Sequence, residues 1–180
     1  MSGSNPASQA KENAVAYIQL LMDFLGERDP LAVQSEQIDW LASATSGIDD
    51  AMLRRPEKSG KWSIIQVVQH LADSELIYAY RLRMVLTHDT PEIQGYDQDL
   101  WADGLKFNEA DLGEALDQLR ILRAANLRLA RSLTPAQLER FGHHSERGPE
   151  SAMRMIKMMG GHDILHRNQI KRIKKAHGLE

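Results

Sequence analysis

The apolar residues of this chain recur at steps of three and four positions, which is the spacing of helices that bury one face. The pattern predicts long helices over residues 63–87, 109–132 and 151–177, and further helical segments over residues 7–26 and 30–46. Few segments show the alternation typical of strands. Because amphipathic helices bury their apolar faces against one another, the sequence predicts an all-α protein with a four-helix bundle.

Two connections and a short segment between these helices are informative. Residues 87–107 form a connection too long for a simple antiparallel turn, and we expect it to cross over or to cover an end of the bundle. Thr134 and Pro135 begin a short extra helix, as its cap and its first residue. The segment FGHHSERGPE, residues 141–150, is predicted to be a loop.

The start of the helix over residues 63–87 has an unusually clear signal. Ser63 and Gln66 match the S-x-x-Q capping box, in which each side chain bonds the backbone N–H of the other residue. Trp62 and Val67 have the spacing of a hydrophobic staple around that cap. Together these residues predict that the helix begins at this point.

Length and composition narrow the class of protein. The 180 residues fit a single domain over residues 1–180, with residues 1–6 expected to be flexible. A net charge of −3 at pH 7 provides no basic field, so nucleic acid is not an expected partner. The absence of cysteine excludes disulfides and a thiol nucleophile of the chain's own. No apolar stretch approaches the length of a membrane span and no secretory signal is visible, so a cytoplasmic protein without membrane contact is expected.

The last predicted helix carries two histidines on its apolar face. His162 and His166 lie one helical turn apart on that face. The apolar residues of the same stripe are Met155, Met158, Met159, Leu165, Ile170 and Ile173. Imidazoles at positions i and i+4 can direct their nitrogens at one metal ion, and the alternative is a pair of core histidines bonded to neighbours. Asp163 points about 100° away from His162 around the helix, and we expect it to face water.

A third ligand would come from another helix, and His70 is the best candidate. On the helical wheel, His70 shares a face with Ser74, Ile77 and Arg81, which predicts a polar pocket inside the bundle. Alternatively, Arg81 reaches out to water and Ser74 bonds back to its own helix. Asp73 flanks this face, and we expect it to orient His70 or to act as a general base.

The other four histidines are weaker candidates for a metal site. His143 and His144 are adjacent in the predicted loop, His88 ends a helix, and His177 lies near the C-terminus. A fourth ligand from His143 or His144 would close the coordination shell, as in structural zinc sites, and would argue against catalysis.

Three stretches of the sequence resemble the DinB superfamily, and its YfiT-like branch in particular: KWSIIQVVQHLADSE, YDQDLWA and GHDILHRNQI. The resemblance covers roughly residues 15–175. It implies a four-helix bundle, often dimeric, whose three histidines hold a divalent metal ion, with zinc and nickel as the leading expectations. Carried over to this chain, the metal ligands are His70, His162 and His166.

The resemblance implies several different activities. Some relatives transfer a low-molecular-weight thiol, such as bacillithiol or mycothiol, to electrophiles; one isomerises maleylpyruvate; many are described only as metal-dependent hydrolases. The leading prediction is therefore a metal-dependent enzyme, expected to be a homodimer, that transfers a low-molecular-weight thiol to a small-molecule substrate. A hydrolase that activates water, and a non-catalytic metal-binding bundle, are the alternatives.

Thiol transfer would need a groove for the charged tail of the thiol. Arg81, Arg83 and Tyr96 are the candidate lining residues, because arginine binds carboxylates in a bidentate manner. Trp101 and Tyr96, both in the long connection, are expected to close the pocket. The alternatives are an ordinary surface salt bridge for Arg83 and an anchoring role for Trp101.

Overall fold

Helices make up most of the chain that the computed structural model describes, which is residues 6–179 with side chains from residue 13 onward. In this part of the chain five helices are long: α1 (Pro6–Leu25), α2 (Pro30–Thr45), α4 (Ile64–Thr87), α6 (Leu112–Arg131) and α8 (Ala152–Ala176). The shorter ones described are α3 (Asp50–Leu53), α5 (Gln98–Gly104) and α7 (Pro135–Leu138). The expected flexibility of residues 1–6 falls outside the described residues except at Pro6, where α1 begins.

Helices α2, α4, α6 and α8 pack against one another as a bundle, and α1 lies along α8. The predicted four-helix bundle is therefore confirmed. Apolar side chains from all four helices fill its interior, among them Leu41, Leu71, Leu119 and Ile170, each with no exposed surface. Within the described residues, no helix combines the length and the apolar character that crossing a membrane requires.

The beginning of α4 has the predicted capping box. Ser63 Oγ accepts a hydrogen bond from the backbone N–H of Gln66, and Gln66 Oε1 accepts one from the backbone N–H of Ser63, at 3.3 and 2.9 Å. Trp62 packs against the core cluster that includes Val67. Trp62 also contacts the ring of His70, with 4.9 Å between the two ring centroids. The cap thus fixes where α4 starts and where its first histidine lies.

The prediction of a loop over residues 141–150 is wrong, because this segment forms a β-hairpin. Strands β2 (Phe141–His144) and β3 (Gly148–Ser151) pair antiparallel, and β1 (Glu92–Ile93), from the long connection, pairs parallel to β2. The connection also carries α5 and packs along α4. The small sheet therefore closes one side of the bundle next to α4.

Two glycines explain why so polar a segment forms strands. Gly148 ends the three-residue turn with φ of 72°, a conformation that glycine adopts without strain. A Cβ at Gly142 would lie only 2.6 Å from the carbonyl oxygen of Pro91, so only glycine lets β1 approach this closely. Neither feature produces the apolar alternation by which strands are recognised in a sequence.

Close approach of two backbones also joins α1 to α8. A Cβ at Gly161 would lie 2.1 Å from the carbonyl oxygen of Leu21, which leaves no room for any side chain. Because Gly161 directly precedes His162, α1 is held against the part of α8 that carries the histidines.

A buried arginine on α6 joins the helices of the bundle. Arg123, 2% exposed, donates from Nε to Glu75 on α4 at 2.9 Å and from Nη1 to the carbonyl oxygen of Gln34 on α2 at 2.9 Å. Its Nη1 and Nη2 groups donate to both carboxylate oxygens of Asp163 on α8, at 2.5 and 3.0 Å. Asn126 donates to Glu75 at 2.8 Å. We call these five residues the buried arginine cluster.

The expectation that Asp163 faces water is therefore wrong. Its side chain has no exposed surface, because α6 covers that side of α8 and presents Arg123 to it. Burial opposes the charge on Arg123, but the carboxylates of Asp163 and Glu75 outweigh that effect and raise its pKa. The guanidinium thus pairs with both acids away from solvent, where burial raises the pKa of each carboxyl group.

Replacing Arg123 with methionine would leave Glu75 and Asp163 buried without a counter-charge, so we expect the free energy of unfolding to fall by about 3–5 kcal/mol. Arg120→Met, one turn earlier on α6, removes an exposed guanidinium that pairs with Asp117 and should change that free energy by less than about 1 kcal/mol. Urea unfolding followed by circular dichroism measures both variants. Equal losses in the two would contradict the role given to the cluster.

Candidate metal centre

Three histidines from two helices meet inside the bundle. The Nε2 atom of His162 lies 3.2 Å from Nε2 of His70 and 3.1 Å from Nε2 of His166. One ligand nitrogen from each ring lies within 4.8 Å of the other two. All three side chains are buried, with at most 8% of each residue exposed. The structure thus brings together the three residues that the sequence singled out.

Hydrogen bonding indicates how these nitrogens are protonated. Nδ1 of His166 lies 2.7 Å from Oε1 of Gln169, an amide oxygen that only accepts, so Nδ1 carries the proton. Nε2 of His166 therefore presents a lone pair to the centre. A proton on Nε2 of His162 could bond only one of its two neighbours, whereas a cation at the meeting point accounts for both short contacts. The donor set fits a divalent cation.

Burial keeps all three imidazoles neutral. It lowers the pKa of His166 to about 4, partly opposed by the hydrogen bond that His166 donates to Gln169. Burial, and secondarily the neighbouring histidines, lower the pKa values of His70 and His162 well below the ordinary 6.5. Neutral rings keep the lone pairs that metal binding requires, so protons do not compete with a metal near pH 7.

A cavity of about 790 Å³ opens from the histidines, with His70 and His162 in its wall. This volume is in the range of pockets that hold small-molecule ligands. Residues of α1, α4 and α8 surround it, together with the long connection and the hairpin. Met155, Met158, Met159 and Leu21 supply much of the apolar lining.

The face of α4 that was predicted to line a polar pocket forms the polar side of the cavity. His70, Ser74, Ile77 and Arg81 all line it. Ser74 Oγ lies 3.3 Å from Nε2 of His70 and 3.1 Å from the hydroxyl of Tyr96, so Ser74 joins the long connection to His70 rather than bonding the backbone of its own helix. The guanidinium carbon of Arg81 lies 5.8 Å from the centre of the Tyr96 ring.

Trp101 stacks beside Tyr96. Their ring centroids are 4.6 Å apart with the ring planes tilted by 46°, and Trp101 belongs to α5, which begins just after Tyr96. Burial raises the pKa of the Tyr96 hydroxyl, partly offset by its hydrogen bond with Ser74, so the hydroxyl stays protonated and can donate.

The structure does not bring Asp73 to the histidines. Its Oδ1 accepts hydrogen bonds from Gln69 at 3.2 Å and from Gln118 on α6 at 2.9 Å. It lines a separate cavity of about 400 Å³ on that side of α4. The helical twist turns its carboxylate towards α6, which argues against the expected roles of orienting His70 or acting as a base.

Arg83 also points elsewhere. Its Nη1 donates to the carbonyl oxygen of Ala79 and, at 2.9 Å, to Oδ1 of Asn126. Of the two arginines proposed to line the pocket, only Arg81 lines the cavity at the histidines.

Within residues 13–179, no fourth histidine or carboxylate joins the three ligands. His143 is exposed on β2, and His144 is buried in the hairpin, where Nδ1 accepts from the backbone N–H groups of Glu146 and Arg147. His88 caps the end of α4, and His177 contacts the carbonyl oxygen of Pro56. A ligand set of three histidines is typical of an open coordination shell.

Three polar residues in the cavity wall were not predicted from the sequence. Arg147, in the turn of the hairpin, pairs with Glu150 on β3 through two hydrogen bonds of 2.9 Å, and both line the cavity. Tyr17 of α1 lines it as well, and burial raises its pKa to about 12. Only recognition of the hairpin would have placed Arg147 and Glu150, whereas Tyr17 lies among the apolar residues of α1 and has no separate signal in the sequence.

Fold and site together define a helical bundle with an open three-histidine centre for a divalent metal. A model of the DinB superfamily matches residues 35–170 of this chain. The chain belongs to the DinB superfamily, as the resemblance predicted.

Similar proteins point to the same branch. YfiT of Bacillus subtilis, named as a candidate metal-dependent hydrolase, is 31% identical over 136 residues, which cover 73% of this chain and 76% of YfiT. A Bacillus licheniformis protein of the same description is 34% identical over 134 residues, 70% of this chain and 74% of the relative. The solved structure of YfiT, described as a four-helix bundle of unusual topology, matches with a TM-score of 0.76 at 25% identity and covers 100% of this chain and 93% of YfiT.

Removing one ligand should abolish metal binding. We expect His162→Ala to lose stoichiometric zinc or nickel, because two imidazoles on different helices cannot hold the ion alone. His143→Ala, an exposed histidine on the hairpin, should keep one equivalent. Elemental analysis of protein without an affinity tag measures both, and a full equivalent in His162→Ala would contradict the ligand assignment.

His144 makes the hairpin sensitive to acid. Burial, and secondarily Arg147, lower the pKa of His144 to about 4, whereas a histidine in the unfolded chain has a pKa of about 6.5. As the pH falls from about 6.5 to about 4, only the unfolded state gains this proton, so stability falls across that window. We expect the melting temperature of metal-free His144→Asn to fall less between pH 7 and pH 4.5 than that of the native protein. Melting temperatures that fall equally in the two proteins would contradict this role of His144, because the other histidines are common to both proteins.

Proposed function

We propose that this protein is a metal-dependent enzyme that activates a low-molecular-weight thiol for transfer to an electrophile. The observation that carries the proposal is the meeting of three histidine nitrogens beside a large cavity, whose wall includes His70 and His162, with no fourth protein ligand among the described residues. Structural metal sites are usually closed by four protein ligands, whereas catalytic sites keep a position open.

The roles of the chain's own residues follow from their positions. His70, His162 and His166 would hold the ion, zinc or nickel. A divalent cation held there supplies a Lewis acid that lowers the pKa of a coordinated thiol or water. Ser74 and Tyr96 place two hydroxyl groups beside His70, where they can hydrogen-bond a ligand.

The carboxylates in and near the cavity favour a thiol over water as the nucleophile. Activation of water by general-base catalysis needs a base close by, but Asp73 lies on the other side of α4 and Glu150 is paired with Arg147. Of the other carboxylates that line the cavity, Asp97 accepts from backbone N–H groups at the start of α5, and Glu146 is exposed on the turn of the hairpin. A thiol is far more acidic, with an ordinary pKa of about 8.5, and needs no such base. Because the chain has no cysteine, the sulfur must come from a co-substrate.

Hydrolysis is the second candidate, favoured by the description of the relatives as candidate metal-dependent hydrolases. The hydroxyls of Ser74 and Tyr96 could then donate to the oxygen of a scissile carbonyl group. A homodimer and a small-molecule substrate remain predictions for both reactions.

Two assays separate these reactions. Zinc- and nickel-loaded protein would be incubated with 1-chloro-2,4-dinitrobenzene and a panel of thiols, in which the sulfur–carbon bond forms, chloride leaves with its electron pair and the thiol proton passes to buffer. The same protein would be given p-nitrophenyl acetate without thiol. We expect turnover only with thiol and metal together, lost in His162→Ala.

Ester cleavage that is independent of thiol would support the hydrolase instead. No turnover above that of His162→Ala in either assay would contradict catalysis by this site.

A further inference from the structure

A second cavity, of about 400 Å³, lies on the side of α4 that carries Asp73. Gln69 and Asp73 of α4 line one side of it, and residues of the segment 105–110, which joins α5 to α6, line the other. Its volume is in the range of pockets that hold small molecules. It shares no lining residue with the cavity at the histidines, so a ligand there would be separate from the metal centre.

The buried charged group of the second cavity is the carboxylate of Asp73, a residue that is 9% exposed. Both of its hydrogen bonds go to one oxygen, because Gln69 and Gln118 donate to Oδ1 at 3.2 and 2.9 Å. Gln69 also donates to Oε1 of Gln118 at 3.3 Å, so the three side chains form a closed triangle that holds the carboxylate in one orientation. Among the described residues Oδ2 accepts no hydrogen bond, although a carboxylate has about four acceptor sites.

In the described part of the chain, no cation pairs with Asp73. Lys106, which also lines the cavity, pairs with Glu109 at 3.4 Å, and Arg120 on α6 pairs with Asp117. The carbonyl group of an asparagine could accept the same two hydrogen bonds, so the triangle does not require the negative charge that Asp73 buries. A buried charge without a partner is costly, and a cationic ligand would offset that cost.

The walls of the second cavity determine which kind of cation fits. Leu105, Phe107 and Ala110 supply apolar surface that suits a hydrocarbon chain. A hard metal ion needs several oxygen ligands, whereas Asp73 offers one free oxygen and Glu109 is already paired. A guanidinium binds both oxygens of a carboxylate, and Oδ1 is occupied by two amides. A primary ammonium is a compact charge that a single free oxygen can accept.

We propose that the second cavity binds a small molecule with one primary ammonium group on a short apolar chain. The ammonium donates to Oδ2 of Asp73, and the chain packs against Leu105, Phe107 and Ala110. This site goes beyond the proposed function, because it uses none of the residues that surround the metal centre. Because the ligand would contact both α4 and the segment before α6 in the folded protein, its binding would also raise the melting temperature.

The test titrates zinc-loaded, ¹⁵N-labelled full-length protein with three probes of equal chain length: n-pentylammonium, n-pentylguanidinium and 1-pentanol. Two-dimensional NMR at pH 7 locates and measures the binding of each probe. We expect the amide signals of Gln69, Asp73 and Phe107 to shift, whereas those of His162 and His166 stay in place, which excludes coordination of the amine to zinc. We expect the ammonium to bind about 10-fold more tightly than the alcohol, and more tightly than the guanidinium.

Two carboxylate variants identify the residue that is responsible. Asp73→Asn keeps the shape of the side chain and the acceptor for the two glutamines but removes the charge. We expect it to bind the ammonium about 10-fold more weakly, at the level of the alcohol. Asp117→Asn, which removes an exposed carboxylate on α6, is the matched control and should bind as the native protein does. Thermal melts establish that each variant is folded.

Several results would overturn this site. They are equal affinity for the ammonium and the alcohol, an affinity for the ammonium that is unchanged in Asp73→Asn, and signals that shift only around the histidines. Absence of binding by all three probes would overturn it as well. None of these results would contradict the proposed function, because the two cavities share no lining residue.

Discussion

The buried guanidinium of Arg123 fixes how the two helices that carry the metal ligands lie against each other. It binds Glu75, on the same helix as His70, and Asp163, the residue after His162. Sliding α8 by one turn past α4 would separate these charges and bury at least one carboxylate without a partner, which is costly away from water. The arrangement that compensates the charges is therefore the one in which the histidines meet.

Close packing reinforces the same arrangement from the other side of α8. Gly161 lets the backbone of α1 touch α8 immediately before His162. The capping box at Ser63 sets the start of α4, and Trp62 packs on the ring of His70. Rigid helices thus hold the three imidazoles, whereas the connection and the hairpin supply the variable side of the cavity. This division of roles is typical of enzymes whose scaffold fixes the chemistry and whose loops select the substrate.

Much of the fold and the metal ligands could be predicted from the sequence, because both follow from spacing along a helix. The spacing of the apolar residues predicted the long helices and the bundle. The four-residue step between His162 and His166 predicted that these two residues lie side by side. The predictions that were wrong concern the partner of a side chain, which depends on the residue that lies opposite it on another helix. A helical wheel gives the direction of Asp163 and Asp73 but not the partners, Arg123 and Gln118, that occupy those directions. The hairpin was missed because its strands have only four residues each and depend on two glycines.

The coordination that we propose is one divalent ion held by three imidazoles and open to a sulfur ligand. X-ray absorption spectroscopy of the zinc-loaded protein tests it directly, because the chain contains no cysteine that could supply sulfur of its own. We predict that three imidazole nitrogens and light atoms from solvent surround the zinc, and that one sulfur neighbour at about 2.3 Å is observed after a thiol is added. A zinc ion with four protein ligands, unchanged when a thiol is added, would contradict the open three-histidine coordination.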